Sequence, residues 1–314
     1  MTTISIIIPT LNAGQCLGQL LASLKNQSLK IDQVIIADSS SEDDTASLAR
    51  NYGATVLVVA RHAFDHGTTR TLAGKKAAGD ILIYLTQDIV LADDYSLENL
   101  IKPFIADESI GACFGRQLPH PDASSFAAHL RYYNYPAAPY VRGYEDRSMY
   151  GIKTAFLSNS FAAYRKEALG KIGWFKEQMI FGEDACAGAN LLKSGYKLAY
   201  ASDAMVYHSH NYTLLHDFKR YFDIGVFHEK ENWILQEFGK ATGEGANYVK
   251  SELTYLLSNN QYLLIPLSFL RNGLKFIGYQ LGRHYDKIPL VIVRKISMHA
   301  KWWTDKNVKR RGPT

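Results

Sequence analysis

The chain has 314 residues, of which 47% are hydrophobic and 21% charged, which excludes a wholly disordered protein and allows a sizeable core. The length is short for two full domains, so we expect one main domain with an appendage. The net charge of +5 is unevenly placed, with eleven Lys or Arg residues against two acids from Arg271 to the end. Such an apolar, basic tail is not a nucleic-acid-binding stripe, and it suggests an anionic partner surface for the tail alone.

The cysteines and the first residues indicate the compartment. Three widely spaced cysteines fit neither a disulfide framework nor a CxxC metal site. The first apolar run has the length of a strand and lacks a basic leader and a cleavage site, unlike a signal peptide. No run approaches the roughly 18 apolar residues of a membrane-spanning helix. We therefore expect a cytoplasmic protein.

The first half of the chain alternates strand-like and helix-like segments. Buried strands are predicted at residues 4–9, 33–37, 55–59 and 81–85, and helices at 14–26, 43–52 and 69–78. Strand, helix and strand at this interval predict βαβ crossovers and a largely parallel sheet. Ligands bind such sheets outside the carboxyl ends of the strands.

The second half is less regular. Residues 120–151 are rich in Tyr, Pro and Arg and predict loops and irregular helix over the site. Further strands are predicted at 160–164, 197–199 and 205–208, with helices at 165–172 and 183–194. From residue 214 onwards we expect mostly helix.

Polar residues follow the ends of the first two strands. Pro9, Thr10 and Asn12 follow the first, and Asp38 ends the second. A carboxylate there can accept hydrogen bonds from a base N–H or a ribose hydroxyl, and the next helix N-terminus stabilises negative charge. Asp38 and the serines after it also fit a turn that caps the following helix, and alone they favour that interpretation.

Asp88 follows the fourth strand, next to Gln87. An acid at a strand terminus that faces a diphosphate is where Mg²⁺ or Mn²⁺ would be held. His208 and His210 end the last predicted strand, and alternation sends both imidazoles to one side, so one could complete a metal site with Asp88. Two histidines alone are a weak signal for zinc.

Two further clusters carry polar side chains. His66, Gly67 and Arg70 lie between the third and fourth strands and could place imidazole and guanidinium against a phosphate or sugar edge. Glu183 and Asp184 open a predicted helix. One of them could take the proton of an attacking hydroxyl, although an acid pair in a first turn also complements the helix dipole.

Together these residues resemble glycosyltransferase family 2, and within it the bacterial rhamnosyltransferases that build O-antigens and cell-wall polysaccharides. The resemblance runs from residue 4 to about residue 231 through SIIIPTLN, IIADSSSEDDT, FDHGTTR, YLTQD, NSFAAYRKEAL, FGEDACAGANLLKSGYKLAY, VYHSHNY and RYFDIGVFH. Three motifs depart from their usual form, at five positions. Thr86 replaces the first acid of DxD, Ser39 the second acid of DD, and FDHGTTRT stands for FNHGGTRN.

The resemblance implies an α/β GT-A fold, a Rossmann-like nucleotide-binding mixed sheet with a C-terminal helical region. Residues 1–212 would form the catalytic domain, with nucleotide-sugar binding to about residue 115 and the acceptor side over 116–212. Residues 213–314 would form the helical region. It also implies inversion at the anomeric carbon by a single displacement, which needs one base and no second catalytic carboxylate.

Carried onto this chain, the family pattern assigns a role to each candidate. It implies that the donor is held by Pro9, Thr10, Asn12, Asp38, Gln87, His66, Gly67 and Arg70, of which the last three mark a pocket for dTDP-L-rhamnose. Asp88 and His208 would hold Mg²⁺ or Mn²⁺. Asp184 would be the general base, and Glu183 would orient it or the acceptor.

The implied acceptor is a lipid-linked glycan at the inner face of the cell membrane. Trp302 and Trp303 with the cations Lys309, Arg310 and Arg311 predict a tail that lies in the headgroup region as a peripheral attachment. The tail could instead pack on the catalytic domain or on a second subunit of a homo-oligomer.

Three other functions remain open on the sequence. The donor could be a UDP-hexose or UDP-galactofuranose, or the chain could be a non-catalytic module that binds nucleotide sugar or glycan. An oxidoreductase is disfavoured because no GxGxxG follows the first strand.

Overall fold

The computed structural model describes residues 2–239 and 243–304. Within them the strands are β1 (Ile4–Thr10), β2 (Gln33–Asp38), β3 (Thr55–Val58), β4 (Ile81–Leu85), β5 (Val90–Leu91), β6 (Ile110–Leu118), β7 (Tyr140–Arg142), β8 (Phe161–Arg165) and β9 (Lys197–Tyr207). The α-helices are α1 (Gly14–Lys25), α2 (Thr45–Tyr52), α3 (His66–Lys76), α4 (Ser96–Ala106), α5 (Ser125–Asn134), α6 (Arg147–Tyr150), α7 (Lys166–Lys171), α8 (Glu183–Lys193), α9 (Leu214–Lys230), α10 (Asn232–Phe238), α11 (Glu244–Ser258), α12 (Ile265–Arg283) and α13 (Leu290–Ile296).

The strands form one mixed sheet in the order β3-β2-β1-β4-β8-β6-β9-β5, with β7 paired to β9. Strands β1 to β4 run parallel. Strand β8 is antiparallel to both β4 and β6, and β9 is parallel to β6. Because β8 runs opposite to β4, and β6 runs opposite to β8, β6 and β9 run in the same direction as β4. The carboxyl ends of β1, β2, β4 and β9 therefore lie at the same edge of the sheet.

The sheet separates two apolar cores. Side chains alternate along each strand, so Ile6 and Ile8 of β1 face one core while Ile7 faces the other. The helices α1 and α4 cover one face. The other face is covered by α8 and by C-terminal residues such as Phe222 and Trp303. The C-terminal region therefore shares a core with the catalytic sheet.

The predicted fold class is confirmed, and the four early strands lie within one residue of their predicted bounds. Two predictions were wrong. Residues 197–199 and 205–207 belong to one strand, β9, in which residues 202–204 form a bulge opposite Gly115 and Arg116. Residues 120–151 contain a regular helix, α5, which Ser124 caps by accepting a hydrogen bond from the Ala127 amide.

Helices α9 and α12 lie against each other with their backbones in close approach. A Cβ added at Gly282 would lie 2.0 Å from the carbonyl oxygen of Phe222, and one at Gly278 would lie 2.5 Å from that of Phe218. Gly225 makes the reciprocal approach to Tyr279. Larger residues on this seam would force the helices apart.

The placement of the tryptophans corrects the expected membrane contact. Trp303 is only 1% exposed and packs on Phe222 and Tyr285, while the indole N–H of Trp302 donates to the carbonyl of Gln178. Trp302 and Trp303, which were expected to contact lipid, thus make contacts within the protein instead. The cations Lys309, Arg310 and Arg311 lie outside the described residues.

Among residues 2–239 and 243–304, none of the helices combines the length and the apolar character that crossing a membrane requires.

Candidate functional site

Three side chains meet at the common edge of the sheet. Asp88 follows β4, and His208 and His210 follow β9. The Nε2 atoms of His208 and His210 lie 3.5 Å and 3.6 Å from Oδ2 of Asp88, and the candidate ligand atoms of all three residues lie within 4.8 Å of one another. We call this group the Asp-His-His cluster.

The protonation of this cluster suits a cation. Burial lowers the pKa of His208, and burial together with the charge of His208 lowers the pKa of His210 to about 4. Burial alone would raise the pKa of Asp88, but hydrogen bonding from His208 and the two imidazoles together hold it below its usual range. Neutral imidazoles and an ionised carboxylate are the forms that bind metal, so the cluster fits a divalent ion.

A buried glutamine fixes the tautomer of His208. Oε1 of Gln117, on β6, lies 2.9 Å from Nδ1 of His208 and also accepts from the guanidinium of Arg131. Its amide nitrogen donates to the hydroxyl of Ser158 over 2.9 Å. Because an amide oxygen only accepts, Nδ1 of His208 carries the hydrogen and Nε2 presents its lone pair to the cluster.

The acid pair lies at the start of α8. Gly182 has a left-handed φ of 85°, a conformation that glycine adopts without strain, and Glu183 and Asp184 begin the helix after it. The two carboxylate oxygens of Asp184 accept from the backbone N–H groups of Asn159 and Ala185 at 3.1 Å and 2.8 Å. These bonds fix the carboxylate while leaving Asp184 only half-buried.

Glu183 is buried and engaged in an ion pair. Its Oε1 lies 3.1 Å from Nη1 of Arg70 and accepts from the side-chain amide of Asn159 at 3.1 Å. Arg70 in turn lies 3.3 Å from Nδ1 of His66. A Cβ added at the neighbouring Gly67 would lie 1.9 Å from the carbonyl oxygen of residue 176, so that position needs glycine for packing.

The pKa values of the two acids are shifted in opposite directions. Burial alone would raise the pKa of Glu183, but the charges of Arg70 and His66 outweigh it and lower the pKa. Burial and the neighbouring Glu183 carboxylate raise the pKa of Asp184. A carboxylate whose pKa lies nearer neutrality is the better proton acceptor. Asp184 therefore has the properties of a base, and Glu183 supplies the charge that tunes it.

One short segment joins the base to the Asp-His-His cluster. The Asn159 backbone binds Asp184, and the Ser158 hydroxyl binds Gln117, which holds His208. The carbonyl of the next residue, Ser160, accepts from the amide of Thr86, two residues before Asp88. One short segment is therefore hydrogen-bonded both to the carboxylate of Asp184 and to the residues that support His208 and Asp88.

The ends of β1 and β2 form the adjoining corner. The carboxylate of Asp38 accepts from the hydroxyl of Thr10 at 3.0 Å and from the amide of Ser41 at 3.0 Å. Asn12, with a φ of 48°, accepts from the amide of Glu42. Thus Asp38 organises the turn, as the residues alone favoured. The buried hydroxyl of Ser39 has no hydrogen-bond partner within the described part of the chain.

Gln87 connects this corner to the cluster. Its Oε1 accepts from the amide of Leu11 over 2.8 Å, and its amide nitrogen donates back to the carbonyl of Leu11 at 3.3 Å. Pro9 lies at the end of β1, in register with Ala37. The residues predicted to hold the nucleoside therefore lie together at this corner. Gln87, which bonds to the corner, is the residue before Asp88 in the sequence.

A cavity of about 560 Å³ adjoins the cluster and is lined by His120, Asp122, Ser209, His210, Asn211, Tyr212, His216 and Met298. Met298 belongs to the C-terminal region, as does His299, whose ring packs edge-on against that of His66 at 5.9 Å. The C-terminal region therefore supplies part of the wall around the site, which the sequence did not predict.

The family model for glycosyl transferase family 2 matches residues 5–173, more than half of the chain. The chain belongs to glycosyl transferase family 2. It is therefore a glycosyltransferase, and the matched region contains Asp38 and Asp88 but ends before the acid pair of α8.

Two relatives align with this family 2 enzyme over nearly its full length. It is 43% identical over 304 residues to the O-antigen chain rhamnosyltransferase RfbN of Salmonella typhimurium, with 96% of each chain covered. It is 41% identical over 307 residues to the O-antigen chain rhamnosyltransferase WbaN of Salmonella anatum, with 97% of each chain covered. Both alignments are longer than the region matched by the family model and extend beyond it.

Solved structures show that the fold of this family 2 enzyme is GT-A. The mannosyltransferase PcManGT from Pyrobaculum calidifontis, in complex with GDP-Man and Mn²⁺, matches with a TM-score of 0.58 and 17% identity over 95% of this chain and 86% of that one. Residues 1–349 of S. aureus TarS match with a TM-score of 0.53 and 16% identity over 90% of each chain.

The sequence missed several residues of the site. Only one of the two histidines was expected to complete a metal site with Asp88, and His208 was assigned, yet His210 lies almost as close to Asp88. Gln117 and Arg131 carried no motif signal of their own, because their importance comes from neighbours that are distant in the chain. Asn159 opens the motif NSFAAYRKEAL, but no role was assigned to it. For Gln117 the one available signal was a polar residue in an apolar strand.

Replacing Gln117 with Leu should weaken Mn²⁺ binding about 10- to 100-fold in the presence of dTDP, because His208 would lose the partner that fixes its tautomer. Gln117→Glu keeps an acceptor for the Nδ1 hydrogen and should retain most of the affinity. Electron paramagnetic resonance of free Mn²⁺ measures the Mn²⁺ affinity of both variants. Gln27→Leu is a matched control, since Gln27 bonds only to backbone of Leu97 and Asp93. Wild-type affinity in Gln117→Leu would refute the positioning role.

Replacing Glu183 with Gln should move the acid limb of the kcat/KM profile to lower pH. The base works only when ionised, so activity falls as the pH drops through the pKa of Asp184. The carboxylate of Glu183 raises that pKa, and its removal lowers it. An unchanged acid limb in a variant with wild-type circular dichroism would contradict the assignment of Asp184 as the base.

Proposed function

We propose that this enzyme transfers L-rhamnose from dTDP-L-rhamnose to a lipid-linked glycan during O-antigen synthesis, with inversion at the anomeric carbon. The observation that carries the proposal is the 43% identity to an O-antigen chain rhamnosyltransferase over 96% of both chains. The intact cluster and acid pair support catalysis and disfavour a non-catalytic binding module.

Asp88, His208 and His210 hold a divalent cation in this proposal. The donor set of one carboxylate and two imidazoles favours Mn²⁺ over Mg²⁺, because Mg²⁺ prefers oxygen ligands and imidazole suits transition metals. The PcManGT structure contains Mn²⁺, which supports a metal in this fold. When bound, the cation supplies neutralising charge for the diphosphate leaving group.

The nucleoside occupies the corner between the ends of β1 and β2. The unpartnered Ser39 hydroxyl provides a polar partner, beside Pro9, Thr10, Asn12 and the buried carboxylate of Asp38. Gln87 fixes the backbone of Leu11. The rhamnosyl group lies towards His66, Gly67 and Arg70, where Arg70 acts mainly through its ion pair with Glu183.

Asp184 takes the proton of the acceptor hydroxyl. At the same time the oxygen of that hydroxyl attacks the anomeric carbon, and the bond from the anomeric carbon to the diphosphate breaks. Backbone N–H groups hold its carboxylate in place, so little reorientation is needed during the step. The cavity that reaches Met298 provides room for the acceptor glycan. We place this transfer at the inner face of the membrane, as a peripheral reaction of a cytoplasmic enzyme.

Replacing Asp184 with Asn should lower kcat on dTDP-L-rhamnose by about 10²- to 10⁴-fold, because an amide cannot act as the general base, while dTDP and Mn²⁺ binding should stay near wild type. Product formation with a lipid-linked acceptor measures kcat, and calorimetry measures the binding of dTDP and Mn²⁺.

The wild-type enzyme should prefer dTDP-L-rhamnose over UDP-hexoses and UDP-galactofuranose. Full activity in Asp184→Asn would refute the base, and preference for a UDP-sugar would refute the donor.

A further inference from the structure

The outward face of α12 is apolar. Phe269, Leu270, Phe276 and Ile277 lie on one side of the helix at the spacing of successive turns, and their exposed fractions range from 50% to 62%. We call these four residues the α12 stripe. An ordinary surface helix turns its apolar side to the core and its polar side to water, so α12 is reversed.

Packing on α9 explains the reversal. The buried side of α12 consists of Ser268, Lys275, Gly278 and Gly282. Because the backbones of α9 and α12 approach closely at the glycines, no room remains there for large side chains. The large apolar residues therefore point outward, and within the described residues nothing covers them.

Other segments of the C-terminal region also expose apolar side chains. Leu263, just before α12, is 94% exposed. Val291 and Ile292 of α13 are also exposed, next to the exposed cations Arg294 and Lys295. Exposed apolar groups clustered to this degree mark an interaction surface.

The exposed charge of the C-terminal region selects the partner. Arg271 and Arg283 are paired with Asp217 and Glu229 of α9, and Lys275 is buried. Lys287, Arg294, Lys295 and Lys301 are exposed. An anionic surface complements this charge. A second copy does not, because a two-fold dimer would bring the same basic patch against itself.

We infer that the α12 stripe docks on an anionic lipid leaflet, with its phenylalanine and aliphatic side chains in the headgroup region and the exposed cations near lipid phosphates. This deepens the proposed use of a lipid-linked acceptor, because it names the surface that would bring the site to the membrane. The interface is the side of α12 facing away from α9, and the paired tryptophans take no part.

Flotation of the full chain with phosphatidylcholine vesicles, with and without phosphatidylglycerol, tests the inference. The wild type should bind the anionic vesicles, and binding should weaken as salt rises. Phe276→Ser combined with Ile277→Ser should reduce binding about tenfold or more, since apolar burial contributes to interfacial binding together with charge. Ile105→Ser combined with Met149→Ser is the matched control, because both residues are exposed and apolar but distant in sequence from α12, and it should bind as the wild type does.

Equal binding by the stripe variant and the wild type would overturn the inference, as would no binding by the wild type. A wild-type dimer that becomes monomeric in the stripe variant, with no vesicle binding by either, would overturn it in favour of a second copy. The vesicles contain no sugar donor or acceptor. Failure here therefore leaves rhamnosyl transfer to be judged by turnover, and failure of turnover leaves the vesicle result unaffected.

Discussion

The segment 158–160 is the constraint on which the site depends. Its consecutive residues hold the proposed base through the amide of Asn159, hold Gln117 and so His208 through the hydroxyl of Ser158, and anchor the end of β4 through the carbonyl of Ser160. The segment precedes β8, the antiparallel strand between β4 and β6. One short segment therefore connects the proposed base with the supports of the Asp-His-His cluster through the hydrogen bonds of its own backbone and of the Ser158 side chain.

Electrostatics then divides the roles of neighbouring acids. Arg70 and Asn159 bind Glu183 and keep it charged in a buried place, and that charge raises the pKa of Asp184. A buried ion pair contributes little net stability after the cost of desolvation. Its value here is functional, because it places a fixed negative charge beside a half-exposed carboxylate. Tyr164 completes the arrangement by donating to the side-chain oxygen of Asn159.

Local patterns predicted what local forces determine. The continuous apolar runs of β1 and β4 are set by neighbours in sequence, and the sequence placed both strands within one residue of their bounds. The motifs also named Asp38, Asp88, Asp184 and His208 as candidate site residues. Roles that depend on distant partners were not predictable. Nothing local marks Gln117 as the partner of His208, or indicates that Trp303 lies in the core while Phe276 faces outward.

The C-terminal region has one side that packs on the catalytic sheet and another that is exposed. One side packs on the sheet and brings Met298 and His299 to the cleft, so the region is part of the catalytic unit. Its other side presents the α12 stripe. Glycines at the seam between α9 and α12 make both possible, because they let the helices pack through their backbones and free the large side chains for the outer surface.

The most direct measurement of the central claim is the anomalous scattering of Mn²⁺ in crystals grown with dTDP. The account predicts one strong peak bound by the carboxylate of Asp88 and at least one imidazole of the Asp-His-His cluster, with the dTDP diphosphate beside it and the carboxylate of Asp184 facing the same cleft. Mn²⁺ bound elsewhere, with this cluster empty and dTDP present, would contradict it.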